Sequence, residues 1–114
     1  RLVLTTEDGS QGEAGLVTTP LARELERAEA TRPTVYACGP TPMMRAVAAL
    51  AATHDRPCQV SLEPVMGCGM GGCYSCVVPT RATPDAAVHL VRGCIDGPVF
   101  DAQRVVWDRL APVA

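Results

Sequence analysis

The sequence has 114 residues, 47% hydrophobic and 19% charged, which suits one ordinary globular domain or two small pieces and excludes a disordered chain. The formal net charge is −2, and all ten basic residues are arginines scattered along the chain, so there is no basic footprint for a nucleic-acid backbone. The longest apolar run, near Val47–Ala52, is too short to cross a bilayer and no signal peptide opens the chain, so a cytoplasmic protein without membrane contact is expected.

Arg1 has no preceding Met, and Leu2–Thr6 reads as a strand already under way, so a piece of a longer protein is expected. The run ends in Glu7-Asp8-Gly9-Ser10, the polar turn that follows a buried parallel strand. Thr19-Pro20 supplies an N-cap and a proline at the first helical position. Leu21, Ala22, Leu25 and Ala28 follow at helical spacing, with Arg23–Glu26 and Glu24–Arg27 able to pair on the wet face. The helix should stop before Pro33. Thr34–Cys38 reads as a second strand closed by Gly39-Pro40, and Thr41-Pro42 repeats the cap-plus-proline signal. Met43 to Thr53 is Ala-rich, with Met43, Val47 and Leu50 on one stripe, and Arg56-Pro57 ends it. Cys58–Leu62 alternates apolar and polar, as a half-buried strand near a sheet edge would. Strand, helix, strand, helix, strand is the α/β pattern of an open parallel sheet, with about half the strands such a domain normally has.

From Glu63 the character changes, which divides the chain into residues 1–62 and 63–114. Glycine and cysteine dominate up to Cys76, then β-type stretches appear at Tyr74–Pro79 and Val88–Val91. A turn at Asp96-Gly97-Pro98 leads to Val99-Phe100, and Val105-Val106-Trp107 closes a small β-rich module.

Six cysteines could form a disulfide scaffold with fifteen possible pairings. Against that stand the core-type strands and helices and the absence of a secretion signal. Four cysteines instead fall in one ordered pattern, Cys68-x4-Cys73-x2-Cys76-x17-Cys94. Three ligands on a tight loop and a fourth from farther on is the plant-type arrangement for a [2Fe–2S] cluster. Gly67, Gly69, Gly71 and Gly72 let the loop bend and turn N–H groups inward against a negatively charged centre. Zinc is the alternative, although zinc sites usually pair their cysteines two and two. A Rieske-type centre would need histidines among the ligands, and His54 and His89 do not interleave that way. Outside the pattern, Cys58 reads as a small core residue. Cys38 stands at the carboxyl end of a strand, just before a helix, where open α/β sheets bind ligands; a buried apolar thiol is the other reading.

The segment Tyr36-Ala37-Cys38-Gly39-Pro40-Thr41-Pro42-Met43-Met44 resembles the Cys-Gly-Pro-x-Pro-Met motif of ferredoxin-reductase-type NAD-binding domains. Glu63 to Cys76, with Cys94-Ile95-Asp96-Gly97-Pro98-Val99-Phe100-Asp101-Ala102 and Val105-Val106-Trp107-Asp108, resembles the electron-transfer subunits of NAD-dependent dihydroorotate dehydrogenase. The resemblance runs from about Leu2 to Asp108. It implies the C-terminal part of a Rossmann-like NAD-binding domain followed by a [2Fe–2S] module, with Cys38, Gly39 and Pro40 beside nicotinamide and flavin. It also implies a relay from dihydroorotate, oxidised on the FMN of a separate catalytic subunit, through the cluster to FAD and NAD⁺. The intact enzyme would be a heterotetramer in pyrimidine biosynthesis.

Glu7 and Asp8 lie in the loop where NADP-dependent relatives hold the 2′-phosphate, so acidic groups there would favour NAD; a solvated turn is the plainer reading. The family's FAD-binding barrel and glycine-rich nucleotide loop are not visible in the sequence, so this chain alone is expected to lack NADH-dependent reductase activity. A diaphorase-type subunit of a hydrogenase or an NADH:ferredoxin oxidoreductase is a second reading. A zinc-stabilised, non-enzymatic interaction domain is a third.

Overall fold

A computed structural model describes residues 1–110 as a small α/β structure with mixed sheets. Its central sheet has three strands in the order β3 (Val35–Cys38), β4 (Cys58–Ser61) and β7 (Val99–Asp101). β3 and β4 run parallel and are joined by helix α2 (Thr41–Thr53), which packs across both. β7 is antiparallel to β4, with Val60 opposite Phe100. Helix α1 (Thr18–Arg27) lies against α2. No helix among the described residues is long and apolar enough to cross a membrane.

One buried cluster unites Leu25, Met44, Val47, Ala51, Val60 and Leu62 with Val78 and Val105 from the cysteine-bearing half. Val78 lies on β5 (Val77–Thr80), which pairs antiparallel with β6 (His89–Arg92). A single helical turn, α3 (Gly93–Asp96), then carries Cys94.

Several expectations need correction. Leu2–Thr6 is not a strand of the main sheet: only Thr5–Thr6 (β1) is extended, and it pairs with Glu13–Ala14 (β2). The loop returns on itself, Glu13 N–H donating to the Leu4 carbonyl (2.8 Å) and Gly15 N–H to that of Thr6 (2.9 Å). Those bonds pair one edge of the segment with its own loop, and Leu2 and Leu4 stay exposed. The central sheet is mixed rather than wholly parallel, and β4 is its middle strand rather than an edge, because β7 pairs along its far side.

On α2 the inward stripe is Met44, Val47, Ala48 and Ala51, while Met43 and Leu50 are only half-buried. Both helices begin before the expected position. Thr18 and Thr41 are already helical, and the residues ahead of them, Val17 and Pro40, make no side-chain capping bond. Arg23 grips Glu13 with two 2.6 Å contacts instead of pairing with Glu26, whereas Glu24 and Arg27 do pair at 3.4 Å. The stretch read over Tyr74–Pro79 becomes a strand only at Val77. Tyr36 is exposed, while Trp107 packs on the core and donates its Nε1–H to the Ala102 carbonyl (3.1 Å).

Candidate metal centre

The loop from Gly67 to Cys76 has little apolar content to collapse on, so its path is set by turns and by bonds to sulfur. Gly69 and Gly71 take positive φ (67° and 78°), and so does Tyr74 (60°). This winding aims the backbone N–H groups of Met70 and Gly72 at Cys68 Sγ, at 3.3 and 3.4 Å. Those donors, with Met70 the strongest and Cys73 adding its own, lower the Cys68 thiol to about 6. Cys73 Sγ lies 3.1 Å from the Ser75 hydroxyl, which donates to the Val65 carbonyl (3.1 Å).

Cys76 ends the loop where β5 begins, and Cys94 lies on α3 just after β6, so the β5–β6 pairing brings them together. Their sulfurs are 3.2 Å apart. The Cys94 backbone N–H, and after it the Cys94 thiol, pull the Cys76 thiol down, whereas the contact with Cys76 pushes Cys94 up. Gly93 N–H donates to the Cys76 carbonyl (2.9 Å) and locks this crossing.

The four thiols therefore stand as two pairs, Cys68 with Cys73 and Cys76 with Cys94. Among the described residues, no three His, Cys, Asp or Glu side chains close on one point that could hold a single metal ion. A four-thiolate zinc site needs all its sulfurs around one point, whereas a two-iron centre takes two thiolates at each iron. N–H groups aimed at sulfur, paired soft donors and glycines at the points of close approach all fit a [2Fe–2S] group. At Gly67, for instance, a Cβ would stand 3.0 Å from Cys73 Sγ.

The residues expected at a nucleotide site fall at the carboxyl edge of β3. Cys38 is exposed there, which corrects the buried-thiol reading, whereas Cys58 is in the core and its thiol is pushed up by burial. Gly39 has φ of +152° and leads through Pro40 into α2. A cavity of about 490 Å³ opens beside this edge, lined among others by Glu7, Leu16, Pro40, Pro42 and Met43. Asp8 is not among its lining residues: its carboxylate accepts from Ser10 N–H (3.0 Å), which lowers its pKa. A second, small cavity of about 70 Å³, lined by Thr41, Leu62, Glu63 and Ser75, lies between the start of α2 and the cysteine loop. The nucleotide-type edge and the thiol site are thus neighbours. His89 is exposed and His54 half-buried.

Sequence reasoning missed two supports, Ser75 beside Cys73 and Arg92 on the loop. The only signal for either was its position, two residues from a cysteine of the four-thiol pattern.

Residues 63–106 match the family model of the iron–sulfur cluster binding domain of dihydroorotate dehydrogenase B. The electron transfer subunit of dihydroorotate dehydrogenase B (NAD(+)) from Caldanaerobacter subterraneus subsp. tengcongensis is 39% identical over 106 residues, 93% of this chain and 40% of that protein. The subunit of the same name from Geobacillus kaustophilus is 44% identical over 104 residues, 90% of this chain and 37% of the relative. The chain thus spans about two-fifths of the length of these curated relatives. Among solved structures, a chain from the NADH-dependent reduced ferredoxin-NADP oxidoreductase, described for flavin-based electron bifurcation, superposes with a TM-score of 0.69. It is 32% identical and covers 96% of this chain and 36% of that one.

Proposed function

We propose, from the membership of residues 63–106 in the family of iron–sulfur cluster binding domains of dihydroorotate dehydrogenase B, that this chain is part of an electron-transfer flavoprotein. Residues 1–62 are the C-terminal part of a ferredoxin-reductase-type NAD-binding domain, and residues 63–114 are a [2Fe–2S] module. Cys68, Cys73, Cys76 and Cys94 are the ligands, Cys38, Gly39 and Pro40 border the nicotinamide and flavin, and Glu7 and Asp8 form the loop at the ribose. The physiological role is that of the electron-transfer subunit of a cytoplasmic, NAD-dependent dihydroorotate dehydrogenase. It works between an FMN-containing catalytic subunit and FAD and NAD⁺, in a heterotetramer serving pyrimidine biosynthesis.

The observation that carries this reading is the paired arrangement of four thiols with backbone N–H groups aimed at their sulfurs. A [2Fe–2S] centre supplies single-electron storage, which suits a position between two flavins that trade one or two electrons. The chain's own residues hold and insulate it. Met70 and Gly72 offset thiolate charge through their N–H groups, and Ser75 orients Cys73. The small cavity beside Ser75 brings the site close to the Cys38 edge, where electrons would leave as hydride.

A subunit of a flavin-based NADH:ferredoxin oxidoreductase is the second reading, supported by the structural likeness. Identity to the dihydroorotate dehydrogenase subunits, 39% and 44%, exceeds the 32% to the bifurcating enzyme and favours the first. Iron and sulfide analysis of anaerobically purified protein tests the core of the proposal. About two of each per chain, a red-brown spectrum and an EPR signal on reduction are expected from four-thiolate ligation. A colourless protein holding one zinc would overturn it. An FMN protein that oxidises dihydroorotate should co-purify, whereas a ferredoxin-coupled partner would establish the second reading.

A further inference from the structure

Arg92 lies on β6, two residues before Cys94, and its side chain reaches back across the three-thiol loop. Its Nη1 donates to the Gly71 carbonyl at 2.7 Å, and its guanidinium sits 5.1 Å from the centre of the Tyr74 ring. Its backbone N–H donates to Asp96 Oδ2 at 3.0 Å, which fastens the same residue to the helical turn carrying Cys94. One residue therefore binds the loop that offers Cys68 and Cys73 to the turn that offers Cys94.

One of the two loop positions it holds is conformationally costly. Gly71 has φ of +78°, which glycine adopts freely, but Tyr74 has φ of +60°, where a bulky residue is rarely found unless its surroundings impose it. Ile95, on the other side of Cys94, presses its Cδ1 to within 2.9 Å of where a Cβ on Gly71 would stand. The loop is thus clasped from both sides of the fourth cysteine, with the guanidinium as the polar half of the clasp. The guanidinium that makes these contacts is a full positive charge seated on the cysteine loop, between Gly71 and Tyr74.

We infer that Arg92 is a positioning residue for the cluster, spanning Gly71 and Tyr74 to hold the loop closed on the Cys94 turn and placing positive charge beside the centre. The inference rests on the cluster reading above. A planar fork that both donates to a carbonyl and stacks on a ring is available to arginine and not to lysine, so the clasp and the charge are separable.

The test uses anaerobically purified, cluster-loaded protein and compares Arg92→Lys, Arg92→Met and Tyr74→Leu with the parent. Two quantities are read, the rate of iron release to a ferrous chelator and the midpoint potential of the cluster. Both arginine variants should release iron about tenfold faster or more, because the clasp is lost. Arg92→Lys should keep the parent potential, whereas Arg92→Met should be harder to reduce, since the reduced centre carries one more negative charge. Tyr74→Leu should release iron several-fold faster at unchanged potential. Release within twofold of the parent in Arg92→Met, or an unshifted potential in that variant, would overturn the inference. If Arg92→Met does not fold, parent-like release in both Arg92→Lys and Tyr74→Leu overturns it instead. A parent protein without iron would instead sink the cluster reading, and this inference with it.

Discussion

At Cys68 the backbone favours the thiolate without any metal. Two N–H groups and the neighbouring Cys73 favour the thiolate, so its pKa falls to about 6, whereas Cys94 is pushed up by its contact with Cys76. In metal-free protein, alkylation of Cys68 by iodoacetamide should therefore reach half its maximal rate near pH 6. Cys94 should react only at much higher pH, as peptide mapping across a pH series would show. The sign for stability follows: a depressed folded pKa favours the folded state above the thiol's unfolded value, and that contribution fades as pH falls through about 6. Cys73→Ser should remove a soft ligand while leaving the Ser75–Val65 bond in place. That variant should lose most of its iron and visible absorbance; full retention would mean the ligand set is wrong. That three thiols would gather on one loop was legible in the spacing Cys-x4-Cys-x2-Cys, because a tight loop must supply thiols at short intervals. The N–H donors were legible only as a tendency of glycine-rich turns. Which sulfur receives them depends on the φ values of Gly69, Gly71 and Tyr74, and composition does not encode those.

Among the elements, α2 shows where sequence pattern stops being decisive. Met43 and Met44 are adjacent and both apolar, so a helical stripe can be drawn through either. The sheet chooses Met44, which with Val47, Ala48 and Ala51 faces the core, while Pro42 and Met43 turn toward the cavity that Pro40 and Glu7 also line. Met44 is 2% exposed, so Met44→Ala should cost about 2–5 kcal/mol in chemical denaturation, as truncation of buried large side chains does. Met43→Ala, at a half-buried position, should cost clearly less. Equal losses would return the stripe to Met43. The strand order is a second case. Alternation in Cys58–Leu62 correctly announced a half-buried strand, since Gln59 is exposed between the buried Cys58 and Val60. It was silent about the partner on the far side, because β7 lies some forty residues on and its pairing is a non-local choice. α3 was missed for a related reason: a single turn is too short to show periodicity and is held by its contacts with Cys76 and Arg92.

Across the whole molecule, the two halves read from composition share one sheet and one core, with β7 paired to β4 and Val78 and Val105 packed among residues of the first half. That continuity ties the thiol loop to the carboxyl edge of β3 through rigid elements, so the proposed electron centre and hydride site keep a fixed relation. Cys38 is the residue that separates the two roles. It is exposed at the strand end, next to Gly39 and the start of α2, and no hydrogen bond or ion pair joins it to the four-thiol site among the described residues. Cys38→Ser should therefore leave iron content, visible spectrum and EPR signal unchanged. If Cys38 borders the nicotinamide as proposed, the same variant in the full-length protein should slow hydride exchange with NAD by about tenfold, equivalent to roughly 1.4 kcal/mol of transition-state stabilisation. Single-turnover flavin reduction by NADH reads that step directly, apart from electron passage toward the FMN subunit. Parent-like reduction would make Cys38 an ordinary exposed thiol at a strand end, with the thiol site intact. Loss of iron in the same variant would mean instead that the β3 edge supports the cluster loop, through the small cavity that Thr41 and Ser75 share.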